Sequence, residues 1–138
     1  MTSTVSSGFQ EQPHTADWAL AVWSPDVIGL LQQAARGMYA LMHARLQAEP
    51  HETYRFEIAA PDRETLLVMF LSELLYFTQR DEVVFDRFDL SYDGERLSAE
   101  VEGVPIESLA KEIKAVTYHD LAVRETERGL EATIVFDV

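Results

Sequence analysis

The chain has 138 residues, a length that suits a single domain able to bury a substantial core. It contains no cysteine, which excludes a disulfide framework and a thiolate metal site. Its 24 acidic residues outnumber its 11 lysines and arginines, for a formal net charge of -13. Strong binding to nucleic acid by this chain alone is therefore not expected.

No apolar run approaches the about 20 residues of a membrane span, and the longest covers 66–71. Residues 1–8 lack the basic and apolar regions of a secretory signal. They are rich in serine and threonine, which predicts a disordered tail ahead of one domain at 9–138. These features are compatible with a location in the reducing cytoplasm.

The first predicted elements are two strands, over 9–13 and 18–23. Asp17 immediately precedes the second strand. On a period of two it shares one strand face with Ala19 and Ala21, so the side chains beside its carboxylate are small.

A first helix is predicted over 25–46, with Ser24 as its N-cap and Pro25 at its first position. A second helix is predicted over 62–78. Glu73 lies within this otherwise apolar second helix. It is interpreted as a solvated residue, with a structural or functional partner of a cation as the alternative.

Alternating apolar residues predict a strand over 52–58 and a hairpin of 83–92 with 96–102, joined at an Asp-Gly turn. Gly103 and Pro105 are expected to end the second hairpin strand.

Strands are also predicted at 111–118 and 130–138, with a short segment at 121–125 between them. Two helices among many strands, without βαβ alternation, indicate an α+β fold. We expect one compact domain: a mainly antiparallel, curved sheet with the two principal helices packed on one side.

Asp17, Asp137 and the α-carboxylate of Val138 are the candidate metal ligands. A hard divalent cation prefers oxygen ligands of this kind, and it would relieve their mutual repulsion. Scattered acids are a weak signal by spacing alone. The histidines have no zinc-motif spacing, and no catalytic residue is assigned.

Four motifs resemble the archease family in their order and approximate spacing. They are His14-Thr15-Ala16-Asp17, Phe70-Leu71-Ser72-Glu73-Leu74-Leu75-Tyr76, the block 111–121 that includes Lys114-Ala115-Val116-Thr117-Tyr118-His119-Asp120, and Val135-Phe136-Asp137-Val138. The likeness covers residues 9–138.

This resemblance implies a small α+β protein that does not itself catalyse a reaction. It implies a helper that promotes guanylylation and multiple turnover of the RNA-splicing ligase in tRNA splicing and RNA repair. It also implies a metal site at Asp17, Asp137 and Val138, holding calcium first, with magnesium or manganese as alternatives. The family pattern directs attention to His14 and Lys114 as well.

Several alternatives remain open. Asp17, His14 and Lys114 could serve a metal-dependent hydrolase or a nucleotide-transfer enzyme, and the chain could instead be a plain interaction domain without a metal. Lys114 is read either as an exposed strand lysine or as a cation for phosphate or a ligase carboxylate. His119 is either functional or bonded to the next residue in a turn. Tyr118 is expected to be a packing residue.

Overall fold

The computed structural model describes residues 6–12 and 17–138, which form two helices and nine strands. In chain order these are β1 Gly8–Gln12, β2 Trp18–Ser24, α1 Val27–Met42, β3 Ala44–Leu46, β4 Glu52–Ala59, α2 Arg63–Asp81, β5 Val83–Tyr92, β6 Arg96–Leu109, β7 Ala115–Val116, β8 Arg124–Thr126 and β9 Gly129–Asp137. Every strand pairing within these ranges is antiparallel. The α+β class with two principal helices is thus confirmed.

Hydrogen bonds divide the described strands into two sheets. The first has the order β1-β2-β9-β7, with β8 also paired to β9. In the second, β6 is central and pairs with β3, β4 and β5. Helix α1 packs on β1, β2, β9 and β5, whereas α2 packs on β4, β5 and β7. Each helix therefore contacts both sheets.

Strand alternation decides which side chains enter the core. Leu20 of β2 and Ile134 and Phe136 of β9 are fully buried, as their apolar period of two predicts. The second sheet packs on α2 through aromatic rings, and the ring centres of Phe56 and Phe70 lie 6.2 Å apart.

The N-cap of α1 differs from the prediction. Asp26 is the cap, and its Oδ1 accepts a hydrogen bond from the backbone N–H of Gly29 at 2.7 Å. Ser24 is instead buried as the last residue of β2. Extending β2 through Ser24 moves the helix start two residues beyond the predicted position at Pro25.

Both helices also end at positions other than predicted. Helix α1 stops at Met42, because His43 adopts a left-handed conformation with φ 48°, and Ala44–Leu46 pairs with β6 as a strand. Helix α2 continues beyond 78 to Asp81. No helix in the described ranges has the length and apolar composition needed to cross a membrane.

Strand β6 does not end at Gly103 or Pro105, as predicted, but continues to Leu109. A Cβ on Gly103 would lie 2.9 Å from a ring carbon of Phe85, so glycine allows that ring to pack against the strand. The carbonyl of Pro105 accepts from the N–H of Gln47 at 2.9 Å. The N–H and C=O of one strand residue face the same side, so the N–H that proline lacks would face Gln47. The pairing of β6 with β5 therefore loses no hydrogen bond at Pro105.

The predicted strand 111–118 is reduced to the two residues Ala115–Val116. The predicted segment 121–125 is also shorter as a strand, because β8 begins only at Arg124. Both strands pair with the same side of β9, one after the other, and the chain between them leaves the sheet.

Candidate functional site

The pairing of β2 with β9 ends beside the two candidate aspartates, here called the aspartate pair. Trp18 pairs with Phe136 at the end of the antiparallel register, and Asp17 and Asp137 are the residues directly beyond that position. Successive residues of a strand project to opposite faces. The exposed Asp137 therefore projects from the outer face of the sheet, on the side opposite the buried Phe136.

Strand β7 supports the other side of Asp137. Ala115 is its register partner, and the backbone N–H of Lys114 donates to the carbonyl of Asp137 at 2.7 Å. Nearby, the backbone N–H and the hydroxyl of Thr117 both donate to the carbonyl of Val135, at 3.0 and 2.9 Å. Strand β7 therefore holds the backbone at Asp137, and β2 pairs along the other side of β9 as far as Phe136, while the Asp137 side chain is exposed.

Lys114 and Val138 are the chain neighbours of the register partners Ala115 and Asp137. Lys114 is exposed, whereas Val138 is partly buried and packs against the core. The structure thus brings the backbone N–H of Lys114 to the carbonyl of Asp137. Its contact with phosphate or with a partner carboxylate stays a prediction.

The donor set for a metal is incomplete among the residues described. Within 6–12 and 17–138, no group of three or more histidine, cysteine, aspartate or glutamate side chains is arranged to hold an ion. Calcium takes roughly six to eight oxygen ligands. Asp17 and Asp137 supply two carboxylates of the right chemistry, and the rest would come from the Val138 α-carboxylate, backbone carbonyls, water or a partner. His14 lies outside the described residues.

A cation–π contact lies one residue from Asp17 and was not predicted from the sequence. The Nζ of Lys111 lies 4.1 Å from the ring centre of Trp18, the residue after Asp17. The backbone N–H of Lys111 also donates to the carbonyl of Met42, at the end of α1, at 3.2 Å. No local pattern predicts a contact between residues so far apart in the chain.

His119 lies in a turn that follows β7. Its Nε2 is 3.3 Å from Oδ2 of Asp120, so the predicted contact between these neighbours is present. The turn is closed by a hydrogen bond from the N–H of Leu121 to the carbonyl of Tyr118 at 3.1 Å. The side chain of Tyr118 is 56% exposed, so the expectation that it is a packing residue was wrong. A partner role for His119 stays a prediction.

Two hydrogen bonds fix the connection between β6 and β8 to helix α2. The Nε2 of Gln79 donates to the carbonyl of Ile113 at 3.1 Å, and Oε2 of Glu64 accepts from the N–H of Val123 at 2.6 Å. Glu64 was missed because an acidic residue in a first helical turn already has a local explanation in the helix dipole.

Glu73, the remaining candidate, is partly exposed on α2. In the described part of the chain it forms no ion pair, and no hydrogen bond joins it to the aspartate pair. A partial exposure is consistent with the solvated interpretation, and a functional role for Glu73 stays a prediction.

Residues 9–138 match the model of the Archease protein family (MTH1598/TM1083). The chain belongs to the archease family. The resemblance first seen in four short motifs is thereby confirmed over the same residues.

Archease relatives match along nearly their whole lengths. Protein archease of Methanosarcina mazei is 32% identical over 138 residues, covering 91% of this chain and 92% of that protein. Protein archease of Methanothermobacter thermautotrophicus is 28% identical over 138 residues, covering 95% and 99%.

Solved structures share the archease fold. The solution structure of protein 1598 from Methanobacterium thermoautotrophicum superposes with a TM-score of 0.74 at 25% identity, covering 95% of this chain and 99% of that one. An archease of Thermotoga maritima, described as a possible chaperone, superposes with a TM-score of 0.70 at 22% identity, covering 94% and 98%. The second similarity supports the fold alone.

Proposed function

We propose that this archease-family protein is a non-catalytic accessory protein that activates an RNA-splicing ligase. In this proposal it promotes guanylylation and multiple turnover of the ligase during tRNA splicing or RNA repair. The observation that carries the proposal is the pairing of β2 with β9, which ends at Trp18 and Phe136, the neighbours of Asp17 and Asp137. Membership in the archease family supports the accessory role.

Asp17 and Asp137 would hold a divalent cation, with calcium as the first choice and magnesium or manganese as alternatives. Carboxylate oxygens suit a hard divalent cation, which would also offset the like charge of the two groups. When bound, the cation would supply positive charge to phosphate or carboxylate oxygens of the partner. The small side chain of Ala115, the register partner of Asp137, leaves space beside this pair.

The strands beside Asp137 suit a rigid presentation of its carboxylate. Its carbonyl accepts from the N–H of Lys114, and β2 pairs along the opposite side of β9. A site carried by strands is positioned more precisely than one carried by a loop. The net charge of -13 disfavours strong binding to RNA. We therefore expect the protein to contact the ligase and not its RNA substrate.

Ligase turnover tests the proposal, with limiting ligase, excess RNA and the full archease chain. We expect Asp17→Asn and Asp137→Asn each to lose stimulation, and to lose the heat of calcium binding in calorimetry. Asp86→Asn is the matched control, since Asp86 is an exposed aspartate at the irregular position of β5. If both aspartate variants stimulate the ligase as well as the unmodified chain does, the proposed metal site is wrong.

Two further readouts separate the alternatives. Guanylylation or hydrolysis carried out by this chain alone would favour an enzyme that uses Asp17, His14 and Lys114. A short extension after Val138 would remove its α-carboxylate from the site. Unchanged calcium affinity in that extended protein would leave the two aspartates as the proposed ligands.

A further inference from the structure

A small pocket lies where both helices and strand β6 end. Its volume is about 210 Å³, and Met42, Ile106 and Ile113 supply apolar surface to its walls. Small-molecule and cofactor sites are usually larger, about 300–1,000 Å³. The dimensions therefore suit one inserted side chain better than a nucleotide or a cofactor.

The remaining walls carry negative charge. Glu82, Glu107 and Glu112 line the pocket, and no lysine or arginine lies among its lining residues. None of the three carboxylates forms an ion pair with another residue in the ranges the structure describes. The pocket is thus complementary to a positively charged group that this part of the chain does not provide.

The helix ends add to this polarity. Met42 is the last residue of α1 and Glu82 is the C-cap of α2, so both helices direct their partially negative ends to the pocket. Gln79 uses its side-chain N–H to bond the carbonyl of Ile113, which leaves the amide oxygen of Gln79 as an acceptor. Acceptors therefore predominate around the apolar walls.

The arrangement does not suit a metal ion. Metal ligands must converge on one point, and no three acidic or histidine side chains of the described residues do so. An extended organic cation can instead reach separated carboxylates. A guanidinium group has five N–H donors and no acceptor, and its aliphatic stem packs on apolar surface.

We propose that this pocket docks an arginine side chain of a protein partner. Its three carboxylates are complementary to the charge of the guanidinium, while Met42 and Ile113 contact the stem. The inference goes beyond the proposed function, because it uses neither the aspartate pair nor a metal.

Titration of the full chain with N-acetyl-arginine methylamide, followed by NMR of isoleucine methyl groups, tests the proposal. We expect saturable shifts at Ile106 and Ile113, and none at Ile58, which is buried in β4. N-acetyl-citrulline methylamide has a similar shape without the charge and should produce no saturable shift. Equal binding of the citrulline probe, or the absence of saturable shifts with arginine, would overturn the proposal.

Carboxylate variants locate the binding. The double variant Glu107→Gln/Glu112→Gln should bind the arginine probe roughly tenfold more weakly, because charge-assisted hydrogen bonds are lost. Glu95→Gln, an exposed glutamate in the turn between β5 and β6, is the matched control and should bind normally. Unchanged affinity in the double variant, or a lysine probe that binds as tightly as arginine, would contradict the assignment. Calcium binding is measured separately, so failure here leaves the proposed ligase role to its own test.

Discussion

The ammonium group of Lys111 lies over the indole of Trp18, with Nζ 4.1 Å from the ring centre. This contact joins the chain that follows β6 to the start of β2, one residue from Asp17. The backbone N–H of Lys111 also reaches the carbonyl of Met42 at the end of α1. Segments that are far apart in the chain thus meet beside Asp17.

Replacing Lys111 with methionine should lower the free energy of unfolding by about 0.5–1 kcal/mol, the usual contribution of an exposed cation–π pair. Methionine keeps an aliphatic stem over the indole, so the loss reports the charge. Urea unfolding measures it. Lys114→Met, at an exposed lysine with no ring contact among the described residues, should change little. Equal losses in both variants would argue against the cation–π contact.

Glu64→Ala should destabilise the fold by about 1–3 kcal/mol, because the buried Val123 loses the acceptor of its N–H. Hydrogen exchange at the Val123 amide should accelerate, and urea unfolding gives the loss of stability. Glu64→Gln keeps an acceptor oxygen and is the matched control. If the alanine variant exchanges as slowly as the glutamine variant, this bond does not hold the connection to α2.

The hydroxyls of Tyr39 and Thr78 form a buried hydrogen bond of 2.9 Å between the two helices. Burial raises the pKa of Tyr39 above its usual range, so the phenol stays neutral. Tyr39→Phe leaves the threonine hydroxyl without this partner and should cost about 1–3 kcal/mol. Adding Thr78→Val should recover part of that loss, since both polar groups are then removed. Additive losses in the double-mutant cycle would contradict direct coupling.

Acid stability should depend on Asp81. Hydrogen bonds from Arg80, and then from the Tyr54 hydroxyl, lower the pKa of Asp81 from 3.8 to about 2. Because the folded pKa is the lower one, the stabilisation is present above pH 3.8 and is lost as the pH falls through about 2. Asp81→Asn should therefore flatten the decline of unfolding free energy between these two values. The Asp86→Asn control should keep the original slope, and an unchanged slope in Asp81→Asn would rule out this linkage.

Local chemistry made much of the architecture predictable. The hairpin of β5 and β6 was predicted from its Asp-Gly turn, where Oδ1 of Asp93 accepts from the N–H groups of Glu95 and Arg96 and Gly94 has φ 99°. The alternation of apolar residues in β9 predicted which of its side chains face the core. These features depend on residues a few positions apart in the chain, so they can be predicted from the sequence.

The candidate site was predictable in part. Family motifs identified Asp17 and Asp137, but not the pairing of β2 with β9 that ends beside them. Two contacts were not predicted, because each joins distant segments: the cation–π contact of Lys111 with Trp18 and the hydrogen bond from Val123 to Glu64. The pocket near Glu112 was missed for the same reason, since its walls come from both helices, β6 and the chain before β7.

By itself the sequence determined the α+β class, the archease motifs and the two acidic positions, since composition, periodicity and turn chemistry encode them locally. The tertiary structure decided the short β7, the early end of α1 and the continuation of β6 past Gly103 and Pro105. The continuation of β6, for example, depends on neighbouring segments. Phe85 fills the space at Gly103, and the N–H of Gln47 donates to the carbonyl of Pro105. Only the folded chain brings such neighbours together, because pairing and packing act between segments that the sequence keeps apart.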